Sequence, residues 1–226
     1  MTTRNLWALV VALGILLQPA FAAAQNSTAP AKGPWEISAM AGGFDDDFEF
    51  DPDGSQFFLD PDQNVIFTGF LGYHFPRSFW GGNFFLGAEG RYVPLDIRPT
   101  IGGVTDLNAY FTNALLGYSL NLHRRAQIYG VGGVGLAIWN GENQDVENDF
   151  GFTYGVGTRL FFNDHWALKG EVRVHQVQEA MTETSADILG YAANETFWGW
   201  AYTVGFSYFF GAKDSDKDGV PDSDDA

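Results

Sequence analysis

A period of two runs through most of this chain and sorts its side chains onto two unlike faces. Successive residues of a β-strand point to opposite sides, whereas helical apolar positions recur at three and four, so this alternation calls for strands. The segment ending at Phe210 is the clearest case. Trp198, Trp200, Tyr202, Val204, Phe206, Tyr208 and Phe210 fall on one face, and Gly199, Ala201, Thr203, Gly205 and Ser207 on the other. Residues 150–162 repeat the scheme, with Phe152, Tyr154, Val156, Leu160 and Phe162 against Gly151, Thr153, Gly155, Gly157 and Arg159. Residues 166–177 set Trp166, Leu168, Val172 and Val174 against Lys169, Glu171, Arg173 and His175. Comparable strands are expected at 35–43, 64–75, 83–93, 106–122 and 127–139, which makes eight. In the last of these, Gly130, Gly132, Gly133 and Gly135 blur the pattern and leave open which face is which.

The connections alternate in length. Those at 44–63, 94–105, 140–149 and 178–196 are long, and those at 76–82, 123–126 and 163–165 are short. An antiparallel meander whose two ends face different surroundings has this form, and an even strand count places both chain ends with the short turns.

An up-and-down barrel is soluble with its apolar face inward or membrane-embedded with that face outward, and composition separates the two. A soluble barrel shows Lys and Glu to water, yet the polar faces here hold mostly Gly, Ala, Ser and Thr. Trp35, Tyr73, Trp139, Trp166, Trp198 and Trp200 lie toward strand ends on the apolar face, as interfacial girdles require. Tilted strands of about 9–13 residues cross the roughly 25 Å apolar band of an outer membrane. The expected fold is therefore all-β: an eight-stranded antiparallel up-and-down transmembrane β-barrel over residues 35–210, with short periplasmic turns and long extracellular loops, in preference to a lipocalin-like soluble barrel.

The start of the chain reads as an address. Arg4, the apolar residues 6–17 and the small residues 20–24 reproduce the charged, apolar and cleavage regions of a secretory signal peptide, and the apolar stretch is too short to span a bilayer. Residues 1–24 are assigned to that peptide and residues 25–34, rich in Ala, Pro, Ser and Thr, to a flexible leader. The chain lacks Cys, which excludes disulfides and thiolate chemistry, and its net charge of -16 excludes a nucleic-acid partner.

At this point the chain resembles the eight-stranded outer-membrane barrels typified by the N-terminal domain of outer membrane protein A. The resemblance covers residues 35–210 and is most specific in the last strand. There Thr203, Gly205, Tyr208 and Phe210 are similar to the polar, glycine, aromatic, aromatic signal read by the outer-membrane assembly machinery. It implies an exported protein in the outer membrane of a Gram-negative-type bacterium, in contact with lipid and lipopolysaccharide and monomeric, with long loops open to an extracellular ligand.

With the apolar face in lipid, Glu36, Glu89, Arg91, Arg159, Lys169, Glu171, Arg173 and His175 point into the lumen, because a lipid-facing Arg or Lys at midplane costs about 2–4 kcal/mol. Opposite signs sharing a narrow interior make an ion-pair network that plugs it; the alternative is a small ion-conducting channel gated by the same pairs. The first long loop carries Asp45, Asp46, Asp47, Glu49, Asp51, Asp53, Asp60 and Asp62, whereas Arg77, Arg124 and Arg125 sit on short turns. The acidic loop is read as a solvated extracellular surface, with divalent-cation gathering as the sharper reading.

Residues 211–226 form an acidic tail placed in the periplasm. Asp214, Asp216, Asp218, Val220 by its carbonyl, Asp222 and Asp225 fall at the oxygen-ligand spacing of a calcium loop, with Gly219 at the turn. Pro221 disfavours an EF-hand, and the segment resembles a thrombospondin type 3 repeat; the bland reading is a disordered acidic tail. Calcium at this tail is the one cofactor indicated, and none is required.

Catalytic candidates are thin. The four histidines, His74, His123, His165 and His175, lie in no H-E-x-x-H motif, and Ser119 after Gly117-Tyr118 meets Asn121 where a nucleophile elbow has its second glycine. His175 near Glu171 is a better hydrogen-bonding lumen residue than an acid–base pair. The expectation is a non-enzymatic barrel with a structural and surface-interaction role.

Overall fold

The computed structural model describes residues 33–46, 58–59, 65–98, 105–123, 125–141, 147–178 and 196–211. Eight strands build the wall: β1 (Trp35–Asp46), β2 (Val65–Phe79), β3 (Gly82–Arg98), β4 (Thr105–His123), β5 (Ala126–Gly141), β6 (Glu147–Phe161), β7 (Trp166–Val177) and β8 (Phe197–Phe210). Each pairs antiparallel with the next, and β8 returns to β1 from Trp35↔Phe210 to Asp46↔Gly199. Closure leaves no barrel strand with an unpaired edge, which is what a hydrocarbon environment demands of a sheet. The described residues contain no helix long and apolar enough to cross a membrane.

The alternation maps onto outside and inside as composition indicated. Val156 and Val204 on the outer face are each 57% exposed, whereas Ala167 and Ala201 on the inner face are fully buried. The glycine-blurred strand β5 is resolved by its pairing: Gln127, Tyr129, Val131, Ala137 and Trp139 face inward, and Val134 and Leu136 face outward. Trp139 therefore corrects the girdle assignment. It is 1% exposed, and its indole N–H donates to Asp149 Oδ2 at 2.7 Å. Trp35, Trp166 and Trp198 do stand on the outer face.

Two connections read as long are shorter than expected. The β3–β4 ladder continues to Ile97↔Thr105 and the β5–β6 ladder to Trp139↔Glu147, leaving residues 99–104 and 142–146 between the strands. Apolar alternation reports burial in lipid and stops at its edge, while backbone pairing carries on through Asp96, Asp106, Asn108 and Asn140. Phe58 and Leu59 add a short ladder against Arg98 and Ile97 at the same end.

The opposite end holds the tight turns. Trp80 and Gly81 both have positive φ, 46° and 79°, the backbone of a two-residue type I′ hairpin. A register irregularity between His74 and Ser78 accommodates Pro76, and the Asn83 side-chain amide donates to the Phe75 carbonyl at 3.0 Å. In the β6–β7 turn, Asn163 Oδ1 accepts from the backbone N–H of both His165 and Trp166 at 2.8 Å. These local bonds fix each hairpin's register, and through it which residues share a level in the lumen.

Candidate functional site

Closing eight strands brings inward residues from distant parts of the chain to one axis, with room for side chains and little else. Large rings reach that axis where their own strand or the neighbouring one carries glycine. A Cβ on Gly72 would lie 2.5 Å from the Phe70 ring, and one on Gly87 2.3 Å from it. Gly117 likewise leaves space for Phe85.

Two groups of charged side chains occupy the lumen. Toward the tight-turn end, the Glu36 carboxylate is fully buried. Arg159 donates to it from Nε at 3.2 Å and Nη2 at 2.8 Å, and Lys169 Nζ lies at 3.3 Å. Ser38 and Ser207 donate to Oε1 at 2.9 and 2.8 Å, and His74 Nε2 lies 2.8 Å from Oε2. The cations also sit on rings: the Arg159 guanidinium is 4.1 Å from the centre of Tyr129, and Lys169 Nζ 4.1 Å from that of Phe70. Such contacts stabilise a desolvated cation.

Deeper along the axis, Glu89, Arg91, Glu171 and Arg173 form a quartet. Arg91 donates from Nε and Nη2 to Glu89 at 2.7 and 3.1 Å, and from Nη2 to Glu171 at 2.5 Å. Arg173 Nη2 lies 2.6 Å from Glu171 and 3.3 Å from Glu89. Asn113 donates to Glu89 at 3.4 Å and Tyr129 to Glu171 at 2.8 Å. A buried ion pair roughly breaks even against apolar residues of the same volume, so this arrangement is more informative about the shape of the lumen than about stability.

Aromatic layers flank these groups. Phe44, Phe111, Trp139 and Phe197 gather at the long-loop end with centroid separations of 5.5–6.1 Å. Phe85, Phe161, Phe209 and His74 pack at the other. Composition suggested a lumen of small and charged residues, and these rings were not part of that reading. They occupy inward positions along the strands, where parity with the charged residues is the one available signal.

Seven of the eight residues assigned to the lumen, Glu36, Glu89, Arg91, Arg159, Lys169, Glu171 and Arg173, lie within the two charged groups. His175 departs from them. It is buried, but its ring packs 4.9 Å from Phe111 and its Nε2 has no hydrogen-bond partner. His74, Ser38, Ser207, Asn113 and Tyr129 belong to the site and were not anticipated. Tyr129 lies in the strand whose glycines hid its register.

In β8, Thr203 faces inward with its hydroxyl 3.8 Å from Met40 Sδ, and a Cβ on Gly205 would meet the Ala39 carbonyl oxygen at 2.0 Å. Tyr208 and Phe210 face outward, 4.9 Å from Trp166 and 6.5 Å from Trp35. Residues 1–24, read from the sequence as a signal peptide, the calcium-like residues Asp214, Asp216, Asp218, Val220, Asp222 and Asp225, and most of the acidic loop lie outside the described residues. Among the described residues no group of His, Asp or Glu is arranged to hold a metal ion.

Residues 8–210 match the family model of the outer membrane protein beta-barrel domain. Among solved structures, Neisserial surface protein A superposes with a TM-score of 0.51 at 10% identity, covering 79% of this chain and 98% of that one. OprG from Pseudomonas aeruginosa gives 0.45 at 16% identity, with coverages of 83% and 100%, and the outer membrane enzyme PagL gives 0.43 at 13%, with 76% and 97%. At 10% identity the likeness to Neisserial surface protein A is one of fold. A comparison with curated proteins finds no significant match.

Proposed function

Because the chain belongs to the outer membrane protein beta-barrel family, we propose that it is a non-enzymatic structural and surface-interaction protein whose lumen is closed to bulk solute by its own side chains. One observation carries the closed lumen: the Glu36 group, the Glu89–Arg91–Glu171–Arg173 quartet and the two aromatic layers follow one another along the axis. The surface role rests on a rigid wall that presents four connections at the end opposite the Trp35–Phe210 pair, where Asp45 is already exposed. In this reading residues 1–24 direct export, the long-loop end faces outward, and lipid and lipopolysaccharide surround a monomer. Thr203, Gly205, Tyr208 and Phe210 present the final strand to the assembly machinery, the loops hold the extracellular ligand, and the acidic tail lies in the periplasm.

The experiment is conductance of the purified, refolded chain in a planar bilayer. Silence, or rare small openings, is expected. Steady openings altered by Arg173→Ala or Glu171→Gln overturn the closed lumen in favour of a small ion channel. A shift between cold and boiled electrophoretic mobility, made first, establishes that the barrel is folded.

A further inference from the structure

On the lipid-facing side of β5 the wall is hollowed where two glycines take successive outward positions. Gly130 lies between Tyr118 of β4 and Val156 of β6, and Gly132 between Leu116 of β4 and Tyr154 of β6. The barrel's own packing does not call for glycine at either place. A Cβ on Gly130 would meet nothing within 4 Å, and one on Gly132 only the Thr153 carbonyl oxygen at 3.9 Å, whereas Gly117 and Gly157 give way to the Phe85 and Tyr129 rings. Neither outward glycine has a positive φ. Glycine weakens a strand, and one that no turn or internal contact requires often marks the close approach of a ligand. The depression has a volume of about 700 Å³, with Gly130 and Gly132 in its floor and Leu116, Tyr118, Val156 and Val172 at its sides.

We propose that this groove holds one acyl chain of an anionic glycerophospholipid whose phosphate is drawn to Arg125. The inference rests on the reading that the apolar face lies in lipid with the short turns toward the periplasm. The groove occupies the short-turn half of the wall: it reaches down to the directly paired Leu120 and Ile128, and the chain turns between His123 and Ala126. His123 and Arg125 are exposed at that turn. Three residues separate Ile128 from Arg125, about 10 Å of extended chain, so a lipid with its tail beside Gly130 brings its head toward the guanidinium. The turn carries Arg124 and Arg125 against Asp164 of the next short turn, which makes it net cationic in a chain of net charge -16. Cations at headgroup level attract anionic lipid. Shape argues against other occupants. β4 and β6, two ladder spacings apart, are separated by about 10 Å before their side chains are counted, too little for a helix about 10–12 Å across. A second copy turned about an axis along the membrane normal would set its own groove at the same depth, hollow against hollow.

The probe is phosphatidylglycerol. The full chain is folded into vesicles of phosphatidylethanolamine and phosphatidylglycerol, extracted into mild detergent and weighed by native mass spectrometry, with lipopolysaccharide offered in a parallel preparation. One retained phosphatidylglycerol per chain is expected. Gly130→Leu with Gly132→Leu, which fills the groove from its floor, is expected to abolish retention, and Arg125→Gln to weaken it about fivefold, the share of one cation near a charged headgroup. Gly90→Leu is the control: a Cβ there also meets nothing within 4 Å, and the lipid is expected to stay. No retained lipid, retention unchanged by filling or by Arg125→Gln, equal retention of phosphatidylethanolamine, lipopolysaccharide in place of phospholipid, or a dimer lost on filling each overturns the proposal. The heat-dependent mobility shift of each variant separates a lost site from an unfolded barrel, and where the filled chain loses that shift, Arg125→Gln carries the test. Filling the groove is expected to leave the planar bilayer silent, so steady conductance refutes the closed lumen without touching the lipid site.

Discussion

Glu36 and Arg159, 123 residues apart, meet inside the barrel through two hydrogen bonds, Nε–Oε1 at 3.2 Å and Nη2–Oε2 at 2.8 Å. Their strands, β1 and β6, are not neighbours in the wall, so the contact spans the lumen and depends on closure of the whole sheet. Removing the carboxylate strands two buried cations, since Lys169 shares it. Glu36→Gln is therefore expected to lower stability by about 3–5 kcal/mol, the cost of an uncompensated buried charge. Urea unfolding in vesicles, followed by Trp fluorescence, measures it, and an unchanged midpoint refutes it.

The space Gly117 leaves for Phe85 makes a second test. A Cβ on Gly117 would approach the Phe85 ring to 2.1 Å, and its three nearest atoms all belong to that ring. Gly117→Ala is expected to destabilise the barrel by about 1–3 kcal/mol through overpacking. Phe85→Leu in the same chain should recover much of the loss. Equal losses with and without that second change would show that the ring is not what the methyl meets.

Trp80 holds a left-handed backbone, φ 46°, in the β2–β3 turn and is 90% exposed. A bulky side chain in that region costs about 1–2 kcal/mol, which Asn followed by Gly largely avoids. Trp80→Asn is expected to raise the urea midpoint by the equivalent of about 1 kcal/mol. A lower midpoint would mean that the indole contributes more at the membrane interface than the turn loses in strain.

Val204 and Thr203 are neighbours in β8 on opposite sides of the wall. Val204→Arg places a cation in the middle of the lipid-facing surface, with an expected cost of about 2–4 kcal/mol. Thr203→Ser, inside, is expected to stay within about 0.5 kcal/mol. Reversal of that order in vesicle-folding titrations would turn the faces inside out.

For the tail, calorimetry of the full chain is expected to detect calcium binding with a Kd of about 0.1–1 mM, the weak end of such loops. Asp214→Ala with Asp218→Ala should abolish the heat. No heat in the unsubstituted chain, or heat unchanged in the double variant, removes calcium from the reading.

By itself the sequence determined the strand period, the eight strands, the unlike faces and the residue types turned inward, because alternation is local: parity along a strand decides the side of the wall. The aromatics on even positions of β8 face lipid, and Lys169, Glu171 and Arg173 face the axis, for that reason. Only the tertiary structure decided which inward residues meet. Contact across a closed barrel depends on the stagger accumulated over all eight ladders, a global quantity that no segment encodes. Glu36 consequently reaches Arg159, Tyr129 reaches Glu171, and His175 is left among rings rather than carboxylates. Where glycines erased the parity of β5, even the side was undecided until pairing with β4 and β6 turned Tyr129 and Trp139 inward.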